Sequence, residues 1–216
     1  MGHFPTPYTL HPRRYSVEDA PLFVEEMHWG EQPVRLTAWP CSVLPTDAPT
    51  TSVHIVAFYG DKILVVRDRR GIFGFPGGRL ESGETPEQAL NREVYEEARA
   101  HLKPDYYLFA VLRIEYPTRL PGRNYPNDHT YMGVYAGGVR ALDPIGIDPA
   151  GIITGRDLFN RAVCEKRMPP HDLILLNESL KVLLAQPAYR FSPGVRTFAA
   201  ATAEIAQAAG LKTEGK

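Results

Sequence analysis

One stretch limits what this chain can fold into: Gly78-Arg-Leu-Glu-Ser-Gly-Glu84-Thr-Pro-Glu-Gln-Ala-Leu-Asn-Arg92-Glu93-Val-Tyr-Glu96-Glu97. It reads as a glycine-ended loop that runs into a helix. Thr85 suits the cap, Pro86 the first helical position, and Gln88 the place three residues on that closes a capping box. Glu93, Glu96 and Glu97 then fall at i, i+3 and i+4. They share one side of the helix, the outer two about 6 Å apart along its axis. Leu90, Val94 and Ala98 form a neighbouring apolar stripe that turns the helix onto a core and leaves the carboxylates at its edge.

Three like charges so close repel one another. A solvated acidic face is the simplest account of such a cluster. A site for a hard cation is the other, because Mg²⁺ and Mn²⁺ take oxygen ligands and are held by a few carboxylates with substrate phosphates. The surroundings favour the cation. Arg92 precedes the cluster and steadies it, and Glu84 waits in the loop to pair with Arg92 through a charge-assisted hydrogen bond.

Gly78, Glu84 and the run Arg92-Glu93-Val94-Tyr95-Glu96-Glu97, at these spacings, resemble the box of the Nudix hydrolase family, G-x5-E-x7-R-E-U-x-E-E-x-G-U, where U is aliphatic. The box spans residues 78–100, and a weaker likeness extends over roughly residues 52–185. Arg99 stands where the family has its last glycine, and Ala100 where it has a bulky aliphatic residue. That glycine ends the helix at positive φ, which costs arginine more than glycine. The segment Ile72-Phe-Gly-Phe-Pro-Gly-Gly78 is similar to the W-x-x-P-G-G lead-in common before the box.

The resemblance implies an α/β/α sandwich with a mixed β-sheet. It also implies metal-dependent hydrolysis of a pyrophosphate bond in a nucleoside diphosphate linked to another moiety, such as a nucleotide sugar, ADP-ribose or a dinucleotide. A divalent cation, Mg²⁺ or Mn²⁺, is expected on Glu93 and Glu97, with Glu96 sharing and the Gly77 carbonyl as a further ligand. The general base is either Glu93 or an acidic residue outside the box, with Glu115 and Asp128 as candidates. Glu84 and Arg92 brace the catalytic group. Tyr116 and Pro117 both sit near downstream subgroup markers of the family, so neither selects a substrate. A non-catalytic nucleotide-binding or regulatory module on the same fold is the alternative; three intact box carboxylates weigh against it.

The rest of the chain supplies the frame. Leu22 to Trp39 suggests a hairpin or edge strand ending at Pro40. Ser52–Tyr59 and Lys62–Arg67 read as two strands joined by a Gly60-Asp61 turn. Tyr106–Glu115 and Thr130–Arg140 are two more, with a bulge or bend expected at Gly137-Gly138. Ile152-Ile153 followed by 155–163 reads as a short strand and a helix. Pro170 to Ala185 is an amphipathic helix, and an alanine-rich helix is expected over 195–209. These elements divide into an extension (1–50) packed on the core, a hydrolase domain (51–186) and a helical tail (187–216). The extension equally suits a dimer contact, so a homodimer stays open.

Substrate contacts are expected from Arg67, Arg69 and Arg70 on one charged loop. The long loop from Tyr116 to His129 adds Tyr116, Arg119, Arg123 and His129; loops of this length in compact domains are often functional. The formal net charge of −1 gives no field that would draw nucleic acid or a membrane surface. Cys41 and Cys164 are too few for a disulfide framework or a cysteine metal site. With no signal-peptide pattern and no apolar run near ~20 residues, a cytoplasmic protein acting on a small nucleotide is the expectation.

Overall fold

The run from Val53 to Phe58 is apolar at every position except His54 because the strand it forms is covered on both faces. The computed structural model describes residues 20–121 and 127–202; Arg123 and the tail beyond 202 lie outside the described residues. In chain order the elements are β1 (Phe23–Trp29), β2 (Gln32–Pro40), β3 (Thr50–Tyr59), β4 (Lys62–Asp68), β5 (Phe73–Gly74), β6 (Gly77–Arg79) and α1 (Pro86–Ala98). They continue with β7 (Ala100–Leu102), β8 (Tyr107–Glu115), β9 (His129–Leu142), β10 (Ile153–Phe159), α2 (Arg161–Arg167), α3 (Pro170–Ala185), α4 (Pro187–Arg190) and α5 (Pro193–Ala200).

The main sheet runs β1-β2-β8-β9-β3-β4-β10, with the short β5, β6 and β7 paired off this path. β3 and β9 are parallel and the other pairs antiparallel, so the sheet is mixed as expected. Alternate residues of β3 divide the core. Val53, Ile55 and Ala57 face Leu90, Val94 and Ala98 of α1. Val56 and Phe58 face Leu176, Leu180 and Leu183 of α3 and Val195 and Phe198 of α5. One helix on one face and a helical layer on the other make the α/β/α sandwich. Among the described residues no helix is long and apolar enough to cross a membrane.

Three expectations are corrected. First, residues 155–159 are not the start of a helix. They extend β10, with Arg156 and Leu158 in register with Val66 and Leu64, and the helix begins only after Asn160, whose side chain accepts from the Val163 N–H. Second, Gly137 and Gly138 are not bulged. They pair regularly with Ala57 and Phe58, and their missing side chains make room for Tyr106 and Tyr189. The bulge falls at Arg140, where β7 pairs His101 with Ala141 and Leu102 with Val139. Third, α5 stops at Ala200; residues 203–209 of the expected helix lie outside the described residues.

Residues 22–40 do form a hairpin. It extends the main sheet, because β2 pairs along β8 from Arg35↔Glu115 to Pro40↔Ala110. Cys41 and Cys164 are buried free thiols.

Candidate active site

The box helix starts as its sequence dictates. Thr85 Oγ1 accepts from the Gln88 N–H, and the Gln88 side chain accepts in return from the Thr85 N–H at 2.9 Å. This reciprocal cap fixes where the helix begins. Leu90, Val94 and Ala98 are completely buried, so the phase of the helix is fixed as well. Together these place Glu93, Glu96 and Glu97 along the edge of α1 that meets β6 and the loop before it.

Two glycines make that meeting possible. Gly77 has φ 145°, and a Cβ there would overlap the carbonyl oxygen of Val53. A Cβ on Gly78 would stand 2.5 Å from the Glu93 carboxyl carbon. The backbone of the loop therefore lies directly against the carboxylates, as only glycine allows.

Arg92 organises one end of the arc. Its Nε and Nη2 donate to the two oxygens of Glu84 at 2.7 and 2.8 Å. Its Nη1 donates to Glu93 at 3.0 Å and Glu96 at 3.2 Å, and Nη2 also reaches the Arg79 carbonyl at 2.9 Å. These bonds pull the Glu84 carboxyl down to about 2, the Arg92 hydrogen bond being the main cause, and hold the guanidinium well above its ordinary value.

Glu97 stands at the other end under different conditions. Its carboxylate accepts one hydrogen bond, from the Gly77 N–H at 3.0 Å. Burial pushes it up to about 8, and the charges of Glu93, Asp148 and Glu96 add to that rise against the pull of Gly77. Glu93 is raised too, mainly by burial, with Arg92 opposing.

Oxygen donors on adjacent helical turns beside a glycine loop suit a hard cation, and Glu97 is a partly buried carboxylate with a single hydrogen bond to offset its desolvation. Among the described residues no three His, Cys, Asp or Glu side chains close on a common point as metal ligands do. Arg92 holds Glu93 and Glu96 while Glu97 turns to Gly77, so the donors share an edge without converging.

The remaining candidates divide. Arg69 lies against the loop that carries Asp148: its N–H donates to Ile152 O, and its guanidinium lies beside Gly151. Arg67 sits beside Gly155 on the β4–β10 pair. Arg70 turns to Asp68 at 2.8 Å and stays largely exposed. Tyr116, Arg119, His129, Glu115 and Asp128 gather elsewhere. Glu115 pairs with Arg113 at 3.3 Å and lies opposite His129; Asp128 is bound to Arg119; His129 lies 3.2 Å from the Tyr131 hydroxyl. From β6 this group lies three strand spacings across and about three residues along, on the order of 15 Å away. The structure does not bring Glu115 or Asp128 to the arc.

Two residues of the site escape a reading of the sequence. Asp148 is buried, accepts from the Ile152 and Ile153 N–H groups at 2.7 and 2.8 Å, and adds its charge near Glu97. The Asp148-Pro-Ala-Gly151 turn was its only signal. Arg156 of β10 donates to the carbonyls of Ala98 at 2.6 Å and Arg99 at 3.1 Å, capping the exit of α1. Nothing local announces a cap that comes from 57 residues away. Arg99 itself takes the left-handed conformation, φ 47° and ψ 43°, and is the one non-glycine residue with positive φ among the described residues.

The NUDIX domain family model matches residues 48–181. The 8-oxo-dGTP diphosphatase of Escherichia coli is 50% identical over 46 residues, which are 21% of this chain and 34% of that protein. The chain thus spans about a third of the length of this curated relative. Among solved structures, a pyrophosphohydrolase of Bacillus subtilis has a TM-score of 0.47 at 18% identity, covering 79% of this chain and 94% of that one. The NUDIX domain of Shewanella oneidensis NrtR, solved with ADP ribose, has a TM-score of 0.47 at 19% identity, covering 64% of this chain and 90% of that one.

Proposed function

Because the chain belongs to the NUDIX domain family, we propose that it hydrolyses a pyrophosphate bond in a nucleoside diphosphate linked to a second moiety, with Mg²⁺ or Mn²⁺ on the carboxylate arc. The observation that carries this reading is Glu97: a partly buried carboxylate pushed up to about 8, with one hydrogen bond, at the end of an arc whose other end is fully paired. A hard cation in that place supplies neutralisation of phosphoryl charge and a more acidic water.

In this reading Glu97 and Glu93, with Glu96 and the Gly77 carbonyl, would hold the cation. Glu93 also takes the proton of the attacking water, which suits a carboxyl raised by burial. The water oxygen bonds to phosphorus, the bridging P–O bond breaks, and the leaving phosphate departs as an oxyanion. Arg92 fixes Glu93 and Glu96, and Glu84 fixes Arg92. Arg69, whose guanidinium lies beside Gly151, would meet a phosphate that reaches the Asp148 loop. Tyr116, Arg119 and His129 lie too far from the arc to touch the reacting phosphate, and serve at most a distal part of a long substrate.

A second reading, a nucleoside triphosphate substrate, is favoured by the 50% identity over 46 residues with an 8-oxo-dGTP diphosphatase. The test is a panel of ADP-ribose, nucleotide sugars, dinucleotides and triphosphates including 8-oxo-dGTP, incubated with Mg²⁺ or Mn²⁺ and resolved by chromatography. Cleavage at a pyrophosphate bond that stops in excess EDTA is the expected outcome. Full turnover in EDTA, or no cleavage of any member, would reject the proposal.

A further inference from the structure

The flank of α1 turned away from the carboxylates carries an open groove, in which Asn91, Tyr95 and Arg140 are exposed. At 100° per residue, Asn91 and Tyr95 sit one turn apart on a line roughly opposite the centre of Glu93, Glu96 and Glu97. The groove measures about 300 Å³ and is lined by Asn91, Tyr95, Ala100, His101, Leu102 and Arg140. That size lies at the lower end of small-ligand sites. Positions 91 and 95 are free positions of the box pattern, so the hydrolytic reading gives them no task.

The polar lining is held in place beforehand. Asp143 Oδ2 lies 2.9 Å from His101 Nε2 and accepts from the Tyr95 hydroxyl at 3.3 Å, so one carboxylate orients both rings. The two rings lie 5.1 Å apart, and the Arg99 guanidinium stands 5.0 Å from the Tyr95 ring centre. Asn91 Nδ2 is fixed by the Glu87 carbonyl at 2.7 Å and the Tyr106 hydroxyl at 3.0 Å. Arg140 is the exception. It is the residue inserted by the bulge between β9 and β7, its side chain is exposed, and among the described residues its guanidinium has no hydrogen-bond or ion-pair partner. Bulges commonly re-aim a side chain in this way.

We propose that this groove binds a small organic phosphate that carries a flat ring, of the size of a nucleoside monophosphate. The phosphate meets the fork of Arg140, whose planar donors match two oxygens. The ring lies along Tyr95, His101 and the apolar side of Leu102. Inorganic phosphate alone would leave most of the volume unfilled. The proposal does not rest on the hydrolytic reading, since neither Arg140 nor His101 belongs to the arc.

The experiment is a backbone amide NMR titration of the full chain in EDTA with AMP, and in parallel with adenosine and with inorganic phosphate. AMP is expected to shift the Tyr95, His101 and Leu102 amides, with adenosine and phosphate each binding at least about tenfold more weakly. Arg140→Ala should weaken AMP roughly tenfold or more, and Arg140→Lys should restore part of the loss, as one charge without the fork would. Arg140 is exposed, so melting temperature should not move; His101→Ala gives an independent second variant with the same expected weakening. Shifts confined to residues 77–97 outside Asn91 and Tyr95, affinity unchanged by Arg140→Ala, or phosphate binding as tightly as AMP would each overturn the proposal.

Discussion

Glu84 and Glu97 stand at opposite ends of one arc of carboxylates, and their surroundings oppose each other. Glu84 has two short bonds from Arg92 and another from the Glu81 N–H, and sits at about 2. Glu97 is partly buried, has one bond from Gly77, and is pushed up to about 8, mainly by desolvation. Both are glutamates of the same box, so residue type does not separate them. Partner and burial do. A group whose charge is already compensated has little to gain from a cation, whereas a buried and under-compensated one recovers its desolvation cost on binding one. The structure gives Glu84 the pairing with Arg92 that its spacing predicts and leaves Glu97 with one hydrogen bond.

The largest effect expected from this contrast is on turnover. Glu97→Gln keeps size and helix propensity but removes the charge. Turnover should fall by roughly a hundredfold or more, the several kcal/mol that a bound cation supplies, while the metal-free protein melts no lower than the parent. Near-parental rates would remove Glu97 from the site. Glu84→Gln should act the other way round. It leaves Arg92 short of its main partner, so the melting temperature should fall, while turnover drops only about tenfold, as for an outer-shell partner. A larger rate loss than that of Glu97→Gln would invert the comparison.

The two groups also differ in the sign of their pH dependence. Glu97 is raised from 4.5 to about 8, so between these values the folded state keeps a proton that the unfolded state has lost. Glu97's contribution to the stability of metal-free protein should therefore be fully present below about pH 4.5 and decline as pH rises towards 8, with a slope of at most about 1.4 kcal/mol per pH unit from one proton. Glu84 is lowered from 4.5 to about 2, so its stabilisation is present above 4.5 and lost as pH falls towards 2. Thermal melts in EDTA across this range, repeated on Glu97→Gln, would isolate the first trend; a decline of the same size in the variant would assign it to other groups.

The smallest effect concerns the helix exit beside Glu97. Arg99 holds a left-handed conformation at a cost on the order of 1 kcal/mol. Arg99→Gly relieves it but loses the contact with Tyr95 and the bond to the Ile147 carbonyl at 3.2 Å. Glycine also costs more backbone entropy on folding. The net should be a small stabilisation, below about 1 kcal/mol, read by denaturant melts. A clear loss would show that those contacts outweigh the strain.

What the sequence made legible was local. Thr85, Pro86 and Gln88 announce the start of α1 because a capping box is written within four residues, and Leu90, Val94 and Ala98 set its phase. The limits of α3 followed from Pro170 and the leucine period in the same way. Where the sequence misled, the deciding partner lay far along the chain. Residues 155–159 joined β10 because Val66 and Leu64 offered a sheet edge, and the bulge settled at Arg140 because β7 pairs there. The positive φ expected of the family's last glycine is present at Arg99 although the glycine is absent. At the site, Glu84 with Arg92 was readable from spacing. Asp148 and Arg156 were not, since each acts on α1 from a separate segment.

The most direct test is Mn²⁺ binding followed by electron paramagnetic resonance of the free ion, in the parent, Glu97→Gln and Glu84→Gln. If the cation sits at the Glu97 end, Glu97→Gln weakens binding at least about tenfold, the loss of one charged ligand, and Glu84→Gln leaves it within a few-fold of the parent. Equal affinity in Glu97→Gln and the parent, or a greater loss in Glu84→Gln, would contradict the account.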